Sequence, residues 1–170
     1  MQYSIIRSRR KTVALEVTRK LEIIVRAPLR FPQQKIESFV QNNLGWIEKA
    51  IQKQQQHEST YPEPTDAEQK QLREQAKNHI PQRVAYYSAV MGLVPTGIKI
   101  TSAKRRFGSC SAKNSLCFSW RLMQYPPDAI DYVVVHELAH IVHKNHGAAF
   151  YKLIAKYMPN YNEHRATLRK

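Results

Sequence analysis

His136 and His140 stand four residues apart, with Glu137 directly after the first, in the run VVVHELAHIVHKNHGAAF at residues 133–150. On an α-helix, positions four apart project from one face on successive turns, so both imidazoles can reach a single cation. This HExxH pattern is one in which two histidines bind zinc and the glutamate takes a proton from the water that the metal activates. A chain of this length with seven His and ten Glu contains the pattern by accident about 0.02 times, which makes it informative. Around it stand Val133, Val134, Val135, Leu138, Ala139, Ile141 and Val142, the composition of a buried helix. There a glutamate and two imidazoles cost several kcal/mol unless something compensates. A bound cation compensates; a Glu–His network satisfied without metal is the other reading.

A catalytic zinc takes three protein ligands and keeps one position open. His143 and His146 are the candidates for the third. His143 shares the helical stripe but lies about 10 Å along the axis from His136, too far for three ligands on one straight helix to surround an ion. His146 requires the helix to stop first, with Asn145 in the left-handed conformation and Gly147 easing the backbone. A following helix would then swing it back, docked by Phe150, Leu153 and Ile154. This geometry favours His146, with His143 as a partly exposed histidine near the helix end.

The elements that must position these residues are readable from periodicity. Residues 3–28 alternate apolar and polar side chains and predict two or three antiparallel strands. Ile36, Phe39, Val40, Leu44, Ile47 and Ile51 recur at helical spacing and predict one amphipathic helix over 33–56. HESTYPEPT then reads as a linker, and Asp66 as the cap of a long helix to Met91, kinked or split at Pro81 and ended by Gly92. Residues 98–123 predict a hairpin or meander around the basic loop KRRFGSCSAKNS. Pro126, Pro127 and Asp128 start the helix carrying the histidines, which runs to Asn145. Two short helices, over 147–157 and 160–169, complete the chain. Its expected organisation is a strand-and-helix segment over 1–57 and a core over 66–170.

The chain carries 27 Lys+Arg against 13 Asp+Glu, a net charge of +14. Such a field attracts nucleic acid, anionic surfaces or acidic proteins. Lys99, Lys104, Arg105, Arg106, Lys113 and Arg121 have no acid among them over 99–121. An apolar content of 42% fits a folded globular protein. No stretch approaches the ~20 apolar residues of a bilayer span, and the N-terminus reaches charge before a signal core forms, so a cytoplasmic location without membrane contact is expected. Cys110 and Cys117 are too few for a disulfide framework and are expected as buried free thiols.

The segments FGSCS, FSWRLMQYPPDAIDYVVVHELAH, NHGAAF and YMPNY resemble the YgjP-like metallopeptidase family, related to the SprT-like proteases and to HExxH zincins. The N-terminal SRRKTVALEV, VRAP and WIEKAI extend the resemblance over most of the chain. Phe107 and Ser119 depart from it, since the family more usually has Trp and Asn there. The resemblance implies an α+β fold: a zincin-like core of a small antiparallel sheet and an active-site helix, with an N-terminal strand and helix elaboration. It implies Zn²⁺ held by His136, His140 and His146, with Glu137 as general base for peptide-bond hydrolysis. Arg121, Tyr132, Tyr157 and Tyr161 are candidate oxyanion donors. The strand at 116–120 is a candidate edge to which an extended protein or peptide substrate adds. Nucleic acid is a second expected partner class, through the basic surface and Phe107; the SprT-like relation points to DNA-bound proteins as substrates. The alternative function is a nucleic-acid-binding module with a structural zinc and no hydrolysis. A retained glutamate base argues for the enzyme, because a structural site closes with a fourth protein ligand.

Overall fold

The computed structural model describes residues 1–18 and 20–168, apart from the side chains of His57 and Glu58. Arg19, in the expected break between strands, and residues 169–170, at the end of the expected last helix, lie outside the described residues. The chain separates into two compact units, one up to Glu63 and one from Pro64 onward.

In the first unit, strands β1 (Ser4–Ser8), β2 (Ala14–Val17) and β3 (Ile23–Pro28) form a sheet of order β1-β3-β2. β2 runs antiparallel to β3, whereas β1 runs parallel to it, so the expected antiparallel set is a mixed sheet. Alternation of apolar and polar residues marks a strand and its buried face but says nothing of its partner or direction. Ile23, Val25 and Ala27 face one side of β3 and are buried against Ile36, Val40 and Ile47. The latter come from two helices, α1 (Gln33–Gln41) and α2 (Leu44–Thr60), where a single helix was expected. The break falls at Asn42 and Asn43: the Asn43 side-chain amide donates to the Phe39 carbonyl at 2.7 Å, competing with the helical ladder. α2 continues to Thr60, into the segment read as linker.

The second unit begins with α3 (Asp66–Met91). Its cap is Thr65 rather than Asp66, in a capping box with Glu68. The helix runs through Pro81 as one element, buries Ala76, Ile80, Val84 and Met91 as a stripe, and closes at Gly92 with φ 68°. Strands β4 (Gly97–Thr101), β5 (Gly108–Cys110) and β6 (Ser115–Ser119) follow in the order β4-β6-β5. β4 is parallel and β5 antiparallel to the central β6, so this sheet too is mixed rather than antiparallel. The strand expected at the sheet edge is therefore the interior one, with Leu116 and Phe118 fully buried. β5 occupies the edge instead.

A short 3-10 helix, Trp120–Gln124, leads into α4 (Pro127–Val142), then α5 (Ala148–Tyr157) and α6 (Tyr161–Thr167). Ser119 is buried, donates to the Ala103 carbonyl at 2.8 Å and accepts from the Arg121 N–H, so its role is to fix the strand end. α4 is tied to α3 by a bidentate pair between Arg83 and Asp131, both contacts at 2.6 Å, with the Tyr87 hydroxyl donating to the same carboxylate. Helices and small sheets together make an α+β protein. Cys110 and Cys117 are free thiols, half-buried rather than buried as expected. Among the described residues no helix is long and apolar enough to cross a membrane.

Candidate active site

α4 stops earlier than expected. His143 has φ −118° and ψ 100°, so the chain leaves the helix there in an extended conformation. Asn145 is not left-handed; among described non-glycine residues only Leu21 and Asn114 are. Nor is Gly147 used for its freedom, since its φ is −81° and a Cβ there would meet nothing. The early exit turns the His143 carbonyl back onto the helix, where it lies 2.9 Å from His140 Nδ1. A carbonyl only accepts, so His140 carries its proton on Nδ1 and presents a lone pair at Nε2.

The same exit brings His146 beside His136, their Nε2 atoms 3.1 Å apart. His136, His140 and His146 each offer a nitrogen within 4.8 Å of the others, and no further His, Cys, Asp or Glu joins the group among the described residues. The His143 side chain is not part of it. Phe150, fully buried at the start of α5, packs against all three rings with centroid distances of 4.9, 4.5 and 4.8 Å. With Ile154 it docks α5 as the spacing predicts, while Leu153 is half-buried.

Burial favours the neutral form of His136 and His140. Burial, then the neighbouring His140 and His146, press His136 down to about 3, and burial lowers His140 as well. Two imidazole nitrogens facing each other at 3.1 Å, those of His136 and His146, need either a shared proton or a cation between them. Nitrogens around one tetrahedral zinc stand about 3.3 Å apart, so this donor set fits a divalent ion of borderline softness. The Tyr132 hydroxyl, 3.3 Å from His136 Nδ1, occupies the other side of that ring and leaves Nε2 to the group.

Glu137 points to the opposite strand. It is 5% exposed, and its Oε2 has no hydrogen-bond partner. Burial pushes its carboxyl up to about 8, opposed by the charge of Arg106. Gly108 on β5 makes room for it: a Cβ there would lie 2.5 Å from Glu137 Oε1.

The cleft around His136 and Glu137 has two lobes. One, of about 270 Å³, is walled by Phe107, Gly108, Tyr132, Val133 and Leu168, with Arg165 among them. The other, of about 280 Å³, reaches past Ser109 and Cys110 to His140 and His146, with Arg106 and Lys144 at its sides. Of the four candidate oxyanion donors only Tyr132 lines the cleft. Arg121 is buried and stacks over Trp120, and Tyr161 stacks behind Tyr132 at 6.4 Å. Phe107 lines the cleft but packs edge-to-face on Tyr125 at 4.9 Å. Sequence reasoning missed Gly108, Arg165 and Leu168. Gly108 stands in the FGSCS segment, where a glycine between bulkier residues signals close backbone approach; no spacing connects α6 to the histidines.

No curated protein sequence matches the chain. Two solved structures are similar to part of it: the metallopeptidase zymogen abylysin of Pyrococcus abyssi and the metallopeptidase zymogen jannalysin of Methanocaldococcus jannaschii. The first is 17% identical with a TM-score of 0.48, over 52% of this chain and 90% of that one. The second is 21% identical with a TM-score of 0.48, over 54% of this chain and 94% of that one. A family model described as "YgjP-like, metallopeptidase domain" matches residues 11–71 and 66–170. The match spans nearly the whole chain, which therefore belongs to the YgjP-like metallopeptidase family, peptidases that work through a metal ion.

Proposed function

We propose that the chain is a zinc-dependent peptidase in which His136, His140 and His146 hold the metal and Glu137 is the general base. The observation that carries this reading is the convergence of three imidazole nitrogens beside a buried carboxylate with an unpartnered oxygen. Zinc is preferred because three imidazoles suit it and the trio leaves a coordination position open. A divalent ion there supplies positive charge, which lowers the pKa of a water toward ~7, draws Glu137 toward its ionised form and polarises a peptide carbonyl.

The chain's own groups do the rest. Glu137 accepts a proton at its free Oε2 and returns it to the departing amine. Gly108 leaves room for that carboxylate against β5, and the His143 carbonyl and Tyr132 hydroxyl fix the ring orientations of His140 and His136. β5 pairs with β6 on one side only, so its open edge offers main-chain donors and acceptors to an extended peptide. A structural zinc in a nucleic-acid-binding module is the weaker reading, since such a site closes with a fourth protein ligand and none stands in the group among the described residues.

The test is Glu137→Gln. It should keep about one zinc per chain and lose peptide cleavage; undiminished cleavage would remove Glu137 as the base.

A further inference from the structure

We propose that the cleft selects peptides carrying acidic side chains on both sides of the scissile bond, Arg165 reading one side and Arg106 the other. The inference rests on the peptidase reading above and adds its substrate class. Both lobes open from His136 and Glu137, so a peptide bond placed at that pair sends its two flanks into different lobes. Apart from Glu137 itself, every carboxylate or full cation lining either lobe is a cation: Arg165 in one, Arg106 and Lys144 in the other.

The three differ in what they have free. Lys144 already donates to Asn114 Oδ1 at 2.6 Å and to the Ser111 carbonyl at 3.1 Å, so it braces the turn between β5 and β6 and contributes field more than contact. The guanidinium groups of Arg106 and Arg165 show no side-chain hydrogen bond or ion pair with a described residue, although the Arg106 charge is felt at Glu137, and their forks are available for bidentate binding of a carboxylate. Arg165 is held in place by stacking over Tyr151, its Cζ 5.4 Å from the ring centroid. Phe107, Val133 and Leu168 beside it form apolar walls for the methylenes of a glutamate. A lobe of about 270 Å³ admits a side chain, and the open β5 edge matches a peptide main chain rather than a sugar-phosphate backbone. A cleft of one sign also raises the encounter rate of oppositely charged substrates.

The experiment uses the full zinc-loaded chain and a matched set of octapeptides, with Gln, Glu or Lys on each side of one cleavage point. Glu peptides should be cut with kcat/KM about tenfold above the Gln parent and Lys peptides below it, the difference shrinking as salt rises. Arg165→Glu should reverse the preference on one side only and Arg106→Glu on the other. Equal cleavage of Gln and Glu peptides overturns the inference and leaves the peptidase reading intact. Failure to cut any peptide overturns both. A single-stranded oligonucleotide that blocks cleavage at concentrations where the Glu peptides do not compete would assign the charge to nucleic acid and overturn it as well.

Discussion

Gly108 and Glu137 touch so closely that the glycine's missing side chain is part of the site: a Cβ at 108 would sit 2.5 Å from Glu137 Oε1 and 2.6 Å from its Cγ. No side chain tolerates that approach, so Gly108→Ala must push the carboxylate or β5 aside. A misplacement of about 1 Å in a reacting group costs about 10²-fold in rate. The expected result is a fall of that order in kcat/KM with zinc content unchanged, measured by peptide hydrolysis and metal analysis on the same preparation. Full activity in the alanine variant would mean that the position of Glu137 is immaterial.

Tyr132 presents a second, independent lever. Its hydroxyl stands 3.3 Å from His136 Nδ1, and burial, ahead of any charge effect, pushes its own pKa up to about 12, so it stays protonated throughout the working range. Removing partners of metal-binding histidines typically costs 10–100-fold in metal affinity, with a long hydrogen bond at about the lower end. Tyr132→Phe should therefore weaken zinc binding about tenfold in a chelator competition while leaving the circular dichroism spectrum unchanged. Unaltered affinity would show that His136 is oriented by its packing on Phe150 alone.

The helix that backs the site offers a test of the fold. Thr65 and Glu68 cap α3 reciprocally, and the Thr65 side chain, then its backbone N–H, hold the Glu68 carboxyl below its ordinary 4.5. A depressed carboxyl contributes stability that is present above the unfolded value and disappears as acidification protonates the folded form. Thr65→Ala should cost about 1 kcal/mol near neutral pH. The difference from the parent should narrow as the pH falls through and below 4.5, in urea titrations followed by circular dichroism. A penalty independent of pH would place the effect in the hydroxyl alone.

How far the sequence reveals this arrangement depends on how local each relationship is. His136 and His140 approach each other because four residues make about one helical turn, and that follows from spacing alone. The approach of His146 depends on a chain reversal, and the reversal is built differently from its expected form: an extended His143 replaces a left-handed Asn145, and the His143 carbonyl gains a role no pattern announces. Strand direction is less legible still. β1 and β4 each run parallel to a later strand, a choice made by long-range packing that alternation does not encode. Pairing on both sides separates the interior β6 from the edge β5, yet the LCFS run reads equally well as either. Arg165 comes to the cleft only because α6 packs on α4 through Tyr161 and Tyr132.

Zinc-edge X-ray absorption on the full chain loaded with one equivalent of Zn²⁺ reads the coordination by His136, His140 and His146 most directly. Three imidazole nitrogens at about 2.0–2.1 Å and one further light scatterer in an open site are expected. A sulfur shell at about 2.3 Å, or a spectrum unchanged when His136, His140 and His146 are each replaced by Ala, would contradict it.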